Sequence, residues 1–370
     1  MKSKVYFADA RSQGWRNSMP AKLEKLFDAA DFSACIPAAG LVAVKMHFGE
    51  LGGHLFVNPV FARAVVDKVK HCGGQPFLSD TNTLYSGSRK NAVVHARTAS
   101  LHGFGPAVTD APVVIADGLL GRDERLVEIG LKHFKQARVA SAFVEADALV
   151  VLSHFKGHIM AGFGGSIKNL AMGCASVAGK REQHSTRQQV VPEKCAGCGL
   201  CAEACPEKAI SVSGRKAFIA RELCIGCGEC MTVCPQGAID LDWATDIGEF
   251  SERLTEYAYA AAKPFAQKGR AAYFNFLLNI TPECDCVPWS DAPIVPDIGV
   301  LASKDPVALD QASFDLVRDS AGLQNTALHA GHACGQDKFK ALAGNTMPEA
   351  PLAYGEKIGL GSRAYELIRL

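Results

Sequence analysis

LVAVKMHF at 41–48, NPVFARAVVDKVKHC at 58–72 and PFLSD at 76–80 decide the fold. The first is an apolar run rich in β-branched residues, which suits a buried strand. The second repeats its apolar residues at helical spacing for about four turns and stops at Gly73 and Gly74. The third is a short apolar run. Strand, helix, strand in this order is a βαβ unit, with the two strands parallel and the crossover right-handed. PVVIA at 112–116, ALVVLS at 148–153 and AAYFNFLL at 271–278 predict further strands. Residues 246–269 predict a helix that Pro264 kinks or ends. Asp305 caps another, with Pro306 at its first position and Gly322 as its stop. The expected fold is α/β, an open and mostly parallel sheet.

A different pattern interrupts this one. Eight of the fourteen cysteines fall in CAGCGLCAEACP from Cys195 and CIGCGECMTVCP from Cys224. Three cysteines at steps of three, a fourth four residues later and then proline is the bacterial ferredoxin spacing for two [4Fe-4S] clusters. In that arrangement the fourth cysteine of each run crosses to the other cluster. One cluster takes Cys195, Cys198, Cys201 and Cys234, the other Cys224, Cys227, Cys230 and Cys205. The runs form an internal repeat at an offset of 29 residues, agreeing at nine of sixteen positions, and predict a local twofold. Glycines 197, 199, 226 and 228 allow tight turns that point N–H groups at sulfur. Structural zinc uses four thiolates in two C-x2-C pairs, so eight cysteines in this order argue against it. The division expected is 1–185 for a first α/β part, 186–243 for a ferredoxin-like α+β module and 244–370 for a second α/β part. The polar GKREQHSTRQQ at 179–189 reads as the linker into the module.

With 39 basic and 38 acidic residues and no cationic run, the chain offers nucleic acid or an anionic membrane no purchase. The first residues lack an apolar signal core, and no run of 18 apolar residues follows. Free thiols and oxygen-sensitive clusters fit a reducing cytoplasm, in an anaerobic or microaerobic cell.

Ligands of open parallel sheets bind beyond the carboxyl ends of the strands. Three expected strands end there in reactive residues: Lys45 and His47, Asp80 and Thr81, His154 and His158. HIMAGFGGSIKNLAMG at 158–173 is the most unusual stretch outside the cysteines. Gly162, Gly164, Gly165 and Lys168 read either as a cradle for an anion or nucleotide or as a tight turn with no ligand. GCASVAGKR at 173–181 is no Walker A loop, having one spacer residue too many and no Ser or Thr after Lys180. Cys284 and Cys286 in TPECDC read either as an extra metal or redox pair or, lacking evident partners, as plain thiols, and stay unassigned. Cys35, Cys72, Cys174 and Cys334 read as ordinary buried thiols, and Asp310 and Asp315 as helix positions that face solvent or cap neighbours.

With these residues in view, four stretches resemble the domain of unknown function 362 family, in its subgroup with a ferredoxin insert. They are VKMHFGE at 44–50, SDTNTLYSGSR at 79–89, SHFKGHIMAGFGGSIKNLAMG at 153–173 and PDIGVLASKDPVALDQASFD at 296–315. The resemblance implies an α/β iron–sulfur protein without naming a reaction. Residues 158–168 also resemble, more distantly, the motif of nickel-pincer lactate racemases, where a histidine precedes AGFSGG and a lysine tethers a nucleotide-derived cofactor. His158, Lys168 and His184 keep that family's order and its steps of ten and sixteen residues, while Gly164 replaces its serine and Ser166 its glycine. The resemblance implies Lys168 as cofactor anchor, and His158, His184 and His47 as acid/base or metal-contacting residues.

Three functions follow as expectations. The first is an iron–sulfur oxidoreductase whose two [4Fe-4S] clusters relay electrons to an unknown small-molecule substrate in the cleft, supplied by a redox partner protein or a small-molecule donor or acceptor. The second is an isomerase or hydride-transfer enzyme with an additional metal or a lysine-bound, nucleotide-derived cofactor. The third is a non-catalytic ferredoxin-like carrier. Radical SAM chemistry lacks its C-x3-C-x2-C triplet.

Overall fold

The computed structural model describes residues 2–85, 87–184, 187–226, 228–241 and 247–370. Eight strands form one sheet: β1 (Ser3–Asp9), β2 (Leu41–Lys45), β3 (Gln75–Asp80), β4 (Val113–Ile115), β5 (Ala148–His154), β6 (Ala271–Leu277), β7 (Gly299–Ser303) and β8 (Tyr365–Arg369). Their spatial order is β8-β1-β7-β6-β5-β2-β3-β4. All neighbours are parallel except β7, which runs antiparallel to both β1 and β6. The sheet therefore joins strands from both sides of the cysteine-rich segment.

Local chemistry explains the elements that place the site. Asn58 caps the helix Pro59–His71, its side chain accepting from the Val60 N–H at 2.9 Å, and Pro59 sits where no N–H is needed. Gly73, at φ +82°, turns the chain out of that helix into β3. Asp305 caps the helix Pro306–Asp319 by accepting from Val307 and Ala308. That helix ends at Asp319, before the expected stop at Gly322. The helix Ile247–Ala266 runs two residues past Pro264, which lacks the N–H for the Ala260 carbonyl and falls in the last turn.

Side chains alternate across the sheet and build two cores. Leu149 and Val151 of β5 join the face covered by Phe250, Leu254 and Tyr257 of helix Ile247–Ala266. Val150 and Leu152 join the opposite face with Val65, Val66 and Val69 of helix Pro59–His71. Strands buried on both sides read as continuous apolar runs, which is why LVAVK and ALVVLS were legible.

The polar segment at 179–189 is not a simple linker. Its first residues complete the helix Val177–Gln183, where Gly179 and Lys180 are buried, and residues 185 and 186 lie outside the described ones. The cysteine-rich segment contributes two short helices, Leu200–Ala204 and Glu229–Thr232, and two antiparallel strand pairs. Residues 188–190 pair with 239–241, and 210–213 with 216–219. At the 29-residue offset, each pair takes one strand from either copy of the repeat, so the copies are interleaved. Gly197 and Gly199 (φ +69° and +84°) match Gly226 and Gly228 (φ +70° and +79°). Of the other thiols, Cys35 and Cys174 are buried, but Cys72 is half-buried and Cys334 exposed on a loop.

Asp310 also differs from expectation, because it is fully buried and away from solvent. Its carboxylate accepts from the N–H groups of Ser166 (2.7 Å) and Ile167 (2.9 Å), the first residues of the helix Ser166–Gly173, and from Asn275 Nδ2 (2.7 Å) of β6. Burial pushes its carboxyl up to about 6, leaving it an anion at neutral pH. Asp310→Ala should lower unfolding stability by about 2–4 kcal/mol, since it strands three buried donors and removes charge from a helix N-terminus. Urea unfolding followed by circular dichroism checks this; a loss under about 0.5 kcal/mol, typical of neutral surface positions, would contradict it.

Candidate functional site

Parallel strands β2, β3 and β5 end together, and their last residues open onto a cleft of about 620 Å³. Lys45, Asp80 and His154 stand at those ends, while His47, His158, Lys168 and His184 complete the wall from the segments that follow. The structure thus brings together His47, His158, Lys168 and His184, the expected cofactor anchor and acid/base or metal-contacting residues. Gly164 and Gly165 line the cleft as well, beside Lys168.

Most charges in the cleft are already paired. Lys45 reaches Asp80 (3.1 Å), Asn169 Oδ1 (2.7 Å) and the carbonyl of Met46 (3.1 Å). Arg89 bridges Asp80 (3.4 Å) and Glu50 (3.1 Å). Lys156 and His154 hold the two oxygens of Asp285 at 3.0 and 2.9 Å. Lys168 donates to Cys284 Sγ at 3.1 Å. Lys180 donates to Thr81 Oγ1 and to the carbonyl of Ala175. Its pKa falls to about 8, because burial outweighs the attraction of Asp117 and Asp80.

The thiol pair is polarised. Cys284 lies well below the usual thiol value, because Cys286 donates to it and Lys168 and Lys156 face it against the opposing effect of burial. Enclosure opposes the charge on Lys168, yet Cys284 and Cys286 outweigh it and hold the lysine above its ordinary value. The imidazoles go the other way. Burial, with Arg89, Lys156, Lys45 and Lys168 around His47, and with Lys168, His184 and Lys156 around His158, keeps both well below 6.5. His184 falls to about 4 through burial, Lys168, Lys180 and Arg187. Three neutral imidazoles beside held cations can ligate or hydrogen-bond, but they resist protonation and add no positive charge. The Nδ1 atoms of His47 and His158 accept from backbone N–H groups, of Gly49 for the first (2.9 Å) and of Met160 and Ala161 for the second (3.2 and 3.1 Å). Nε2 is then the protonated nitrogen in each. His184 Nδ1 is buried with no partner among the described residues.

The second cysteine run borders the same cleft, through Gly228, Glu229 and Met231. One hollow is lined by Cys195, Cys198, Cys201 and Cys234, and a second by Cys205, Cys224 and Cys230. Cys227 lies outside the described residues. Backbone N–H groups reach sulfur at Cys195 (from Ala217, 3.4 Å), Cys205 (from Ala209, 3.3 Å) and Cys234 (from Ala238, 3.2 Å). Those bonds, from Ala217 and Gly197, hold the Cys195 thiol below its ordinary value. Glu229 lines both the second hollow and the cleft, and Ile239 both the first hollow and the cleft.

The family model described as domain of unknown function (DUF362) matches residues 42–315. The chain belongs to this family. No relative of this DUF362 chain is found among curated proteins. Among solved structures, it aligns with the lactate racemase apoprotein from Thermoanaerobacterium thermosaccharolyticum at 13% identity and a TM-score of 0.37, covering 75% of this chain. The DUF362 chain spans about half of that protein, 51% of its length.

Two expectations for the glycine-rich stretch need correction. The N–H groups of Ser166 and Ile167 that would cradle a phosphate are taken by Asp310. Gly162, at φ +78°, is not on the cleft wall: a Cβ there would lie 2.6 Å from Pro348, and one at Gly165 would lie 2.5 Å from Asp310. Both glycines serve close packing. Cys284, Cys286, Lys156, Asp285, Glu50 and Arg89 are cleft residues or their direct partners that sequence reasoning missed. Only the C-x-C spacing of the cysteines was a visible signal.

The Asp80 network of this DUF362 chain is testable. Burial favours the neutral acid, but Lys45 and Arg89 outweigh it and hold Asp80 below the ordinary carboxylate range. His95, 3.8 Å away, is pushed down to about 3 by its own burial, so it is neutral and adds little. With its folded value below the unfolded value of about 3.9, Asp80 contributes stability that is complete above about pH 5 and fades as pH falls further. Arg89→Met should lower stability by about 3–5 kcal/mol, leaving Glu50 and Asp80 short of a buried partner. It should also move acid unfolding to higher pH. A circular dichroism titration checks both effects, and an unchanged acid midpoint would count against this network.

Proposed function

We propose that the chain is an iron–sulfur redox enzyme in which two [4Fe-4S] clusters serve a small molecule bound in the cleft. Cys195, Cys198, Cys201 and Cys234 would hold one cluster, and Cys205, Cys224, Cys227 and Cys230 the other. On this reading residues 186–243 are a ferredoxin-like module between α/β parts 1–185 and 244–370. Two observations support the fit: the described cysteines divide between two hollows in these sets, and backbone N–H groups already point at three of the sulfurs. Bound clusters supply one-electron transfer, at potentials set by hydrogen bonds to sulfur and by exposure.

One observation carries the link to the cleft. Glu229 and Ile239 each form a wall shared by a cysteine hollow and the cleft, so a single layer of side chains separates them. A free-standing carrier would need no such shared wall. The cleft's own groups suit proton handling: neutral His47, His158 and His184 stand near the Cys284 thiolate and the Lys168 ammonium. Electron arrival at a bound molecule would be matched by a proton drawn from the Lys168 ammonium. A redox partner protein or a small-molecule donor or acceptor completes the scheme.

A second reading draws on Lys168, whose amine stands in the cleft beside Gly164 and Gly165. There it would anchor a nucleotide-derived cofactor for isomerisation or hydride transfer. Intact-mass spectrometry of anaerobically purified protein separates the readings, since a stable adduct on Lys168 favours the second.

Anaerobic reconstitution should give about eight iron and eight sulfide per chain. Cys234→Ala and Cys205→Ala should each remove about four of both, from different clusters, with distinct changes in the electron paramagnetic resonance spectrum of the reduced protein. Far fewer than eight of each in the unaltered protein would overturn the cluster assignment.

A further inference from the structure

We propose that His158, Cys284 and Cys286 form a site for one divalent cation of borderline softness, zinc or ferrous iron, with its remaining coordination position open to the cleft. One ligand atom from each lies within 4.8 Å of the others, and all three residues line the cleft. Bonds of about 2.0–2.3 Å in a tetrahedral array separate ligand atoms by about 3.3–3.8 Å, so capture needs a closure of roughly 1 Å. Two thiolates and an imidazole with a free fourth position is a donor set that catalytic zinc uses.

The surrounding contacts fix the sulfurs. Asp285, between the two cysteines, is anchored through its carboxylate to His154 and Lys156, and its carbonyl accepts from the Glu50 N–H at 3.0 Å. Lys168 donates to Cys284 Sγ at 3.1 Å, an outer contact of the kind that orients a thiolate ligand. His158 has to move. Its Nδ1 accepts two backbone bonds, so the ring must turn to present an unprotonated nitrogen, and those bonds are weak beside a metal–imidazole bond. None of the described cysteines of the two runs lines the cleft, which makes this site separate from theirs. A cation here would face the cleft and polarise an oxygen of a bound carbonyl or carboxylate compound. The inference deepens the cleft half of the proposed function. The cation's presence does not rest on the cluster half.

Cluster-loaded protein, prepared anaerobically, is given one equivalent of zinc and passed through gel filtration. We expect one zinc retained per chain, with an absorption-edge spectrum showing two sulfurs at about 2.3 Å and nitrogen at about 2.0–2.1 Å. The double variant Cys284→Ala/Cys286→Ala should lose the zinc, and His158→Ala should weaken it about 100-fold, with iron and sulfide unchanged in both. An all-sulfur shell, equal retention by the double variant, or no effect of His158→Ala would overturn the site. So would an intact mass showing Cys284 and Cys286 joined as a disulfide. The spectrum of the unaltered protein decides the matter even if a variant fails to fold. Low iron with an intact two-sulfur zinc site would refute the cluster reading alone, and full iron with no zinc would refute this one alone.

Discussion

The Asp310 carboxylate is the constraint on which the site depends. A helix begins with N–H groups that have no partner within it, and a buried beginning must find one elsewhere. Here one buried carboxylate satisfies Ser166 and Ile167 while Asn275, in the middle of β6, ties it to the sheet. Gly165 must be glycine for the chain to come this close. Fixing this helix start fixes Lys168 two residues on, in the same turn, and with it the distance to Cys284. The contact thus couples the helix Pro306–Asp319, strand β6 and the reactive edge of the cleft in one hydrogen-bonded group.

This also shows what the sequence could not disclose. Ser166 and Asp310 are 144 residues apart, so a glycine-rich turn that binds an internal carboxylate looks the same in sequence as one that binds phosphate. The βαβ unit was legible because its signals are local: a β-branched run, a helical period and a glycine stop. The collection of Lys45, His47, Asp80 and His158 in one cleft was legible too, because parallel strands share a carboxyl edge. Strands β1, β7 and β8 passed unnoticed; β1 and β8 carry polar residues that break the apolar run, and β7 opens on glycine and gains its identity only from antiparallel neighbours on both sides. Cys284 and Cys286 were visible as a pair but not as site residues. Their neighbours Lys168 and His158 arrive from more than 100 residues away along the chain, by way of the sheet order.

The cleft looks strongly cationic in a list of residues, with Lys45, Arg89, Lys156, Lys168 and Lys180 on its wall or beside it. Its contacts say otherwise. Lys45, Arg89 and Lys156 are committed to Asp80, Glu50 and Asp285, and Lys168 to the Cys284 thiolate. Lys180 titrates near neutrality and donates to a hydroxyl and a carbonyl. Such a wall is a lattice of ion pairs around neutral imidazoles. Its value lies in fixed orientation more than in net attraction, since each buried charge is stable only while its partner stays in place. A multiply charged anion entering this cleft would have to displace an existing partner, whereas a neutral or singly charged oxygen compound would meet preset donors without breaking any pair. On the proposed reading, these electrostatics suit a small polar ligand held by direction, beside a sulfur whose charge Lys168 balances.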